Sequence, residues 1–77
     1  DADVAEFVAV EGSKVTKRAV KELGLPFGVT IGGLVRDGKG ELVNGNTCIQ
    51  PGDSVMVFCH KHHIEKAEKL FKASKLW

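Results

Sequence analysis

LPFGVTIGGLVRDGKGELVNGNTCIQPGD, residues 25–53, decides the fold. Its longest β signal is Val29 to Arg36, rich in β-branched residues and bounded by Gly28 and Asp37-Gly38. Period-two alternation places Val29, Ile31, Gly33 and Val35 on one face and Thr30, Gly32, Leu34 and Arg36 on the other. Two adjacent glycines weaken a strand, so Gly32-Gly33 implies a bulge or the close approach of another backbone or a ligand. Asp37-Gly38-Lys39-Gly40 reads as a hairpin turn and Glu41-Leu42-Val43 as the return strand. Asn44-Gly45-Asn46 is a second turn of the same chemistry. Thr47 to Gln50 carries Ile49 into the core, and Pro51-Gly52-Asp53 is a third tight turn, opening the next strand. The stretch thus predicts a β-meander on which the other apolar segments pack.

Upstream, Ala5 to Val10 predicts a strand with Phe7 and Ala9 on one face and Glu6, Val8 and Val10 on the other. Both faces are mostly apolar, which predicts cover on both sides. Thr16 to Leu23 predicts a short helix burying Ala19, Val20 and Leu23. Thr16 or Ser13 is its N-cap, Gly24 takes the left-handed position after its end, and Pro26 prevents continuation. Downstream, the continuous apolar run Ser54 to His60 predicts a central strand covered on both faces. Ile64 to Trp77 predicts a second helix with Ile64, Ala67, Leu70, Phe71 and Ser74 inward. The order is β-α-β-β-β-α, an α+β domain with a mostly antiparallel sheet.

Seventy-seven residues make one domain, 1–77, with a thin core, because a chain this short buries only about 60% of its unfolded surface. Two cysteines make at most one disulfide. With 43% hydrophobic and 27% charged residues and a net charge of +1, the composition is that of a folded domain and lacks the basic face that nucleic acid requires. No apolar run approaches the ~20 residues that span a bilayer. The opening Asp-Ala-Asp, without Met and directly before a strand, reads as the start of a piece cut from a longer protein.

The Cys59-His60-Lys61-His62-His63 cluster offers metal-ligand chemistry. It lacks a C-x-x-C pair or a second ligand pair at zinc-module spacing, and Cys59 and His60 fall on opposite faces of a strand. A strand end running into a helix-entry loop accounts for it, and a metal-binding module on Cys59, His60, His62 and His63 stands as the alternative function. Cys48 and Cys59 read as inert thiols, Cys59 as a small buried hydrophobe. Gly28 to Gly40 matches neither phosphate-loop nor dinucleotide fingerprint. No nucleophile–base–orienter set is readable, so no enzymatic activity is expected. Arg36 ends an apolar strand across from Asn44; a guanidinium fork beside an amide can hold an anion or nucleotide, whereas a surface ion pair with Asp37 or Glu41 is the plainer role.

The spaced motifs Glu11-Gly12-Ser13, Leu23-Gly24-Leu25-Pro26, Gly28-Val29, Ile31-Gly32, Val35-Arg36, Asn44-Gly45, Gln50-Pro51-Gly52-Asp53 and Ile64 to Phe71 resemble, in the same order, the TrkA-C module. This module is the C-lobe of regulators of potassium conductance, and the resemblance is nearest to the last domain of a Trk-type potassium uptake regulator. The resemblance implies a cytoplasmic module on the inner side of the plasma membrane. It implies a homodimer that tunes a membrane potassium transporter or channel. It places NAD(H) or adenine-nucleotide binding in an upstream Rossmann lobe, with no cofactor in this domain. Some relatives bind a small nucleotide such as cyclic di-AMP at the dimer interface; carried to this chain, that site falls near Leu34, Arg36, Asn44 and Pro51.

Overall fold

The computed structural model describes residues 2–73. These residues form one four-stranded antiparallel sheet, β1 (Ala2–Val8), β2 (Val29–Arg36), β3 (Lys39–Leu42) and β4 (Ser54–His60), followed by α1 (Ile64–Lys69). The α+β class and the antiparallel sheet agree with the sequence reading.

The spatial order is β1-β4-β2-β3, so the expected meander is corrected. After β3 the chain crosses back through residues 43–53 and inserts β4 between β1 and β2. Apolar content explains the choice: Val55, Val57 and Cys59 are at most 1% exposed, and only a central position buries a row so completely. No strand forms over 47–50, yet Ile49 reaches the core as expected and is 2% exposed.

The Gly32-Gly33 pair is a bulge. Ile31 pairs Val57 and Gly33 pairs the next residue, Met56, leaving Gly32 as the extra residue. The bulge corrects the face assignment. Beyond it the phase shifts by one, so Leu34 joins Val29 and Ile31 in the core while Val35 turns outward. Arg36 is thereby brought to the core side of the sheet. The β2–β3 hairpin closes on two residues, Asp37 (φ 52°) and Gly38 (φ 78°), the positive-φ pair of a type I′ turn.

The expected helix over 16–23 is replaced by two 3₁₀ turns, Lys14–Thr16 and Val20–Glu22. Ala19 between them is extended (φ −60°, ψ 151°). The amides of Val20 and Lys21 donate to the carbonyls of Thr47 and Gly45, both at 2.9 Å, rather than to their own helix. Eight residues cannot outcompete tertiary partners of that quality. Thr16 is not a cap; its Oγ1 donates to the Ser13 carbonyl at 2.8 Å. The second helix is shorter than expected, Ile64–Lys69 after a 3₁₀ turn at Lys61–His63, and places Ala67 with Leu70 and Phe71 against the sheet. The expectation for Ser74 to Trp77 lies outside the described residues.

All of this cover lies on one face. The expectation that β1 and β4 are covered on both sides is corrected within the single chain: Val4, Val8, Met56 and Phe58 point outward and are 42–58% exposed.

The turn Gln50-Pro51-Gly52-Asp53 closes with the Asp53 amide donating to the Gln50 carbonyl at 3.0 Å, and Gly52 sits at φ 91°. This is the type II geometry expected from Pro and Gly at its centre. The Gly52 amide donates to the Ala9 carbonyl at 2.7 Å, and the Ala9 amide donates to the Asp53 carbonyl at 2.9 Å, tying the turn to the end of β1. Gly52→Val forces a β-branched residue into the left-handed region and is expected to cost about 1–3 kcal/mol. Thermal unfolding checks it, and a melting temperature equal to wild type would refute the turn's role.

Candidate functional site

The polar centre of the molecule lies where β2 ends against the 44–53 loop. Arg36 donates from Nε to Asp53 Oδ1 at 2.9 Å and from Nη2 to Asp53 Oδ2 at 2.7 Å, a fork-on-fork pair. Nη2 also donates to the Cys48 carbonyl at 3.2 Å, while Nη1 stands 3.6 Å from Glu41 Oε2. The Gln50 amide donates to Asp53 Oδ2 at 2.8 Å. Asp53 is 2% exposed, so its carboxylate is removed from water and satisfied by three protein donors. The Arg36 hydrogen bonds hold the Asp53 carboxyl below the usual carboxylate range. They overcome the burial that would raise it, and the Gln50 amide and the Arg36 charge act in the same direction. The same hydrogen bonds raise the already high Arg36 pKa.

Glu41 was an expected partner of Arg36; Asp53, the stronger one, was not seen in the sequence. The signal was present in two pieces. A bulge at Gly32-Gly33 turns Arg36 to the core side, and an aspartate directly after a Pro-Gly turn is placed to bond the amide three residues back.

Around this pair the four residues of the expected ligand site are divided. Arg36 is half-buried and held by Asp53. Leu34 faces the core and is 2% exposed. Asn44 is exposed and accepts from the Asn46 amide at 2.8 Å through Oδ1, the lock of its own turn. Pro51 is exposed at the tip of the last turn. Arg36, Asn44 and Pro51 therefore lie on or beside one loop system, with Leu34 closed off within the core.

The histidine cluster is separated from the thiol. Cys59 is in the core, whereas His60 is exposed and its ring stacks on His62 with centroids 5.5 Å apart. Cys48 and Cys59 are both free, and among the described residues no group of three or more His, Cys, Asp or Glu is placed to hold a metal. Among the same residues no helix is long and apolar enough to cross a membrane.

This architecture is shared with a solved chain described as "Structure of RCK domain with cda", at a TM-score of 0.72 and 17% identity over 90% of this chain and 97% of that one. The fold is therefore that of an RCK C-lobe. The TrkA-C domain model matches residues 4–72, and the chain belongs to the TrkA-C domain family. Among its relatives are the Trk system potassium uptake protein TrkA homolog of Archaeoglobus fulgidus, 34% identical over 84% of this chain and 15% of that protein, and the Trk system potassium uptake protein TrkA of Azorhizobium caulinodans, 31% identical over 94% of this chain and 16% of that protein. The same protein of Haemophilus influenzae is 32% identical over 95% of this chain and 17% of its own length. The chain thus spans about a sixth of the curated relatives it matches.

Proposed function

We propose that the chain is a non-catalytic regulatory module of a Trk-type potassium transport system. The observation that carries this is the TrkA-C match over residues 4–72, together with relatives named for potassium uptake. In this reading the module works as a homodimer on the cytoplasmic side of the membrane and tunes a membrane-embedded potassium transporter. NAD(H) or adenine nucleotide binds a Rossmann lobe elsewhere in the full protein.

A small anionic nucleotide, cyclic di-AMP being the candidate, meets the rim formed by Arg36, Asn44 and Pro51. Support comes from the Arg36 Nη1 group, whose nearest carboxylate is 3.6 Å away and more than half exposed, leaving it able to turn to a phosphate. Arg36 acts from a fixed position, since Asp53 holds the other two nitrogens of its fork. Leu34 contributes by packing beneath the rim rather than by contact.

The test is sedimentation of the chain with and without cyclic di-AMP, ADP and NADH, followed by calorimetry on any responder. A dimer with a saturable isotherm, weakened at least about tenfold by Arg36→Lys, is the expected result. Lysine keeps a charge for Asp53 but loses the fork. A dimer indifferent to every nucleotide would remove the ligand and leave a structural coupler, and a monomer would remove dimerisation.

A further inference from the structure

The sheet has an inner face under the 3₁₀ turns and α1, and an outer face with no layer above it among the described residues. Antiparallel sheets that face water on one side normally alternate apolar and polar residues. The outer positions here break that rule. Val4 and Val8 on β1, Met56 and Phe58 on β4, Val35 on β2 and Leu42 on β3 all point outward. Val4 pairs Phe58, and Leu42 pairs Gly33, which in turn pairs Met56, so the six side chains form a continuous patch across all four strands.

The patch is also shaped. Gly32 and Gly33 leave a groove of about 510 Å³ bounded by Val35, Leu42, Met56 and Phe58. A Cβ on Gly32 would lie 2.4 Å from the Phe58 ring, so the glycine is what lets that ring lie over the strand. Beside the groove stands Leu42, which is 91% exposed. A knob and a hole on one face are what a two-fold interface uses, because each copy presents both.

We infer that the outer sheet face is the surface through which two copies of this chain pack, sheet against sheet, with Leu42 of each copy entering the Gly32–Gly33 groove of the other. The inference rests on the proposed homodimer and names its surface. The area is sufficient. Taking roughly 150–200 Å² for a fully exposed large apolar side chain, the six contribute on the order of 500–600 Å² per copy, the apolar share of a standard interface of about 800 Å² per partner. The acidic group among these outward positions of β1 and β4 is Glu6, and its Oε2 already accepts from Ser54 Oγ at 2.7 Å. A second copy also supplies the cover that the two-sided apolar strands require.

The test is sedimentation velocity over a concentration series of wild type, Met56→Glu and Leu42→Asp, with far-UV circular dichroism and thermal unfolding on each. The expected result is a wild-type dimer whose dissociation constant rises at least about tenfold in each variant while secondary structure is kept. Leu42→Asp guards against a folding defect, since its side chain is 91% exposed. A wild-type dimer unaffected by either change would overturn this face and leave the proposed homodimer standing on another surface. A wild-type monomer at submillimolar concentration would overturn both.

Discussion

Asp53→Asn is expected to lower the unfolding free energy by about 2–3 kcal/mol at neutral pH and to flatten the acid limb of the stability curve. The carboxylate accepts from Arg36 Nε, Arg36 Nη2 and the Gln50 amide while only 2% exposed. An asparagine of the same size has one acceptor oxygen for those donors, and its own amide nitrogen must face at least one of them. Breaking a fully buried pair costs about 3–5 kcal/mol; the partly open guanidinium regains some water, which sets the lower figure. The pH dependence has a definite sign. Arg36 depresses the carboxyl's pKa in the folded chain, whereas in the unfolded chain it titrates near the ordinary ~3.9. The stabilisation is therefore complete above about pH 5 and is lost as pH falls through and below 4. Urea unfolding of wild type and variant from neutral pH to pH 3 checks this. The gap between them should narrow on acidification; a gap constant over the whole range would show that the charge on Asp53 is not what stabilises the turn.

That ion pair also marks the limit of what the sequence discloses. The extents of β2 and β4, the turns at Asn44-Asn46 and Pro51-Asp53, and the burial of Ile49 follow from alternation and from residues that tolerate positive φ, whereas the expected four-residue turn over 37–40 closes on Asp37-Gly38 alone and β3 begins at Lys39 rather than Glu41. These are local signals, written in neighbouring residues. The face assignment beyond Gly32 is not local. A bulge is suggested by the glycine pair, but its consequence, turning Leu34 and Arg36 inward, follows only when the register with β4 is fixed at Ile31 and Gly33. The helix over 16–23 failed for a related reason. Its periodicity was adequate, but the carbonyls of Gly45 and Thr47, more than twenty residues away, claimed its amides. The strand order was hidden too, because β4 is apolar on both parities and periodicity cannot say which neighbours it takes. The same two-sided pattern carried information that the single chain leaves unused: Met56 and Phe58 read as buried and stand in the open. Arg36 was legible as a candidate site residue, but its principal partner lies seventeen positions on, across a chain crossover.

Phe71→Ala is expected to have the largest effect of any single change, about 3–5 kcal/mol. Phe71 is 2% exposed and packs on Phe7 with ring centroids 5.3 Å apart. Its carbonyl accepts from the Val10 amide at 3.1 Å, and the neighbouring Leu70 carbonyl accepts from Val15 at 3.0 Å. The ring thus seats the end of α1 on β1 and on the chain that leaves it, across a sequence separation of more than sixty residues. α1 has six residues and cannot persist without that seat. A chain of this length has a total stability of only about 4–12 kcal/mol at the usual 0.05–0.15 kcal/mol per residue, so the loss consumes much of it and leaves a domain partly unfolded near body temperature. Phe71→Leu keeps most of the volume and is expected to cost about 1–1.5 kcal/mol. Denaturant midpoints for the two variants, measured at one fixed protein concentration because association shifts apparent stability, separate the readings. Equal, small shifts for Ala and Leu would mean that α1 is held by its backbone bonds to Val10 and Val15; a steep fall for Ala alone would mean that the Phe7–Phe71 contact fastens the helix, and with it the covered face, to the sheet.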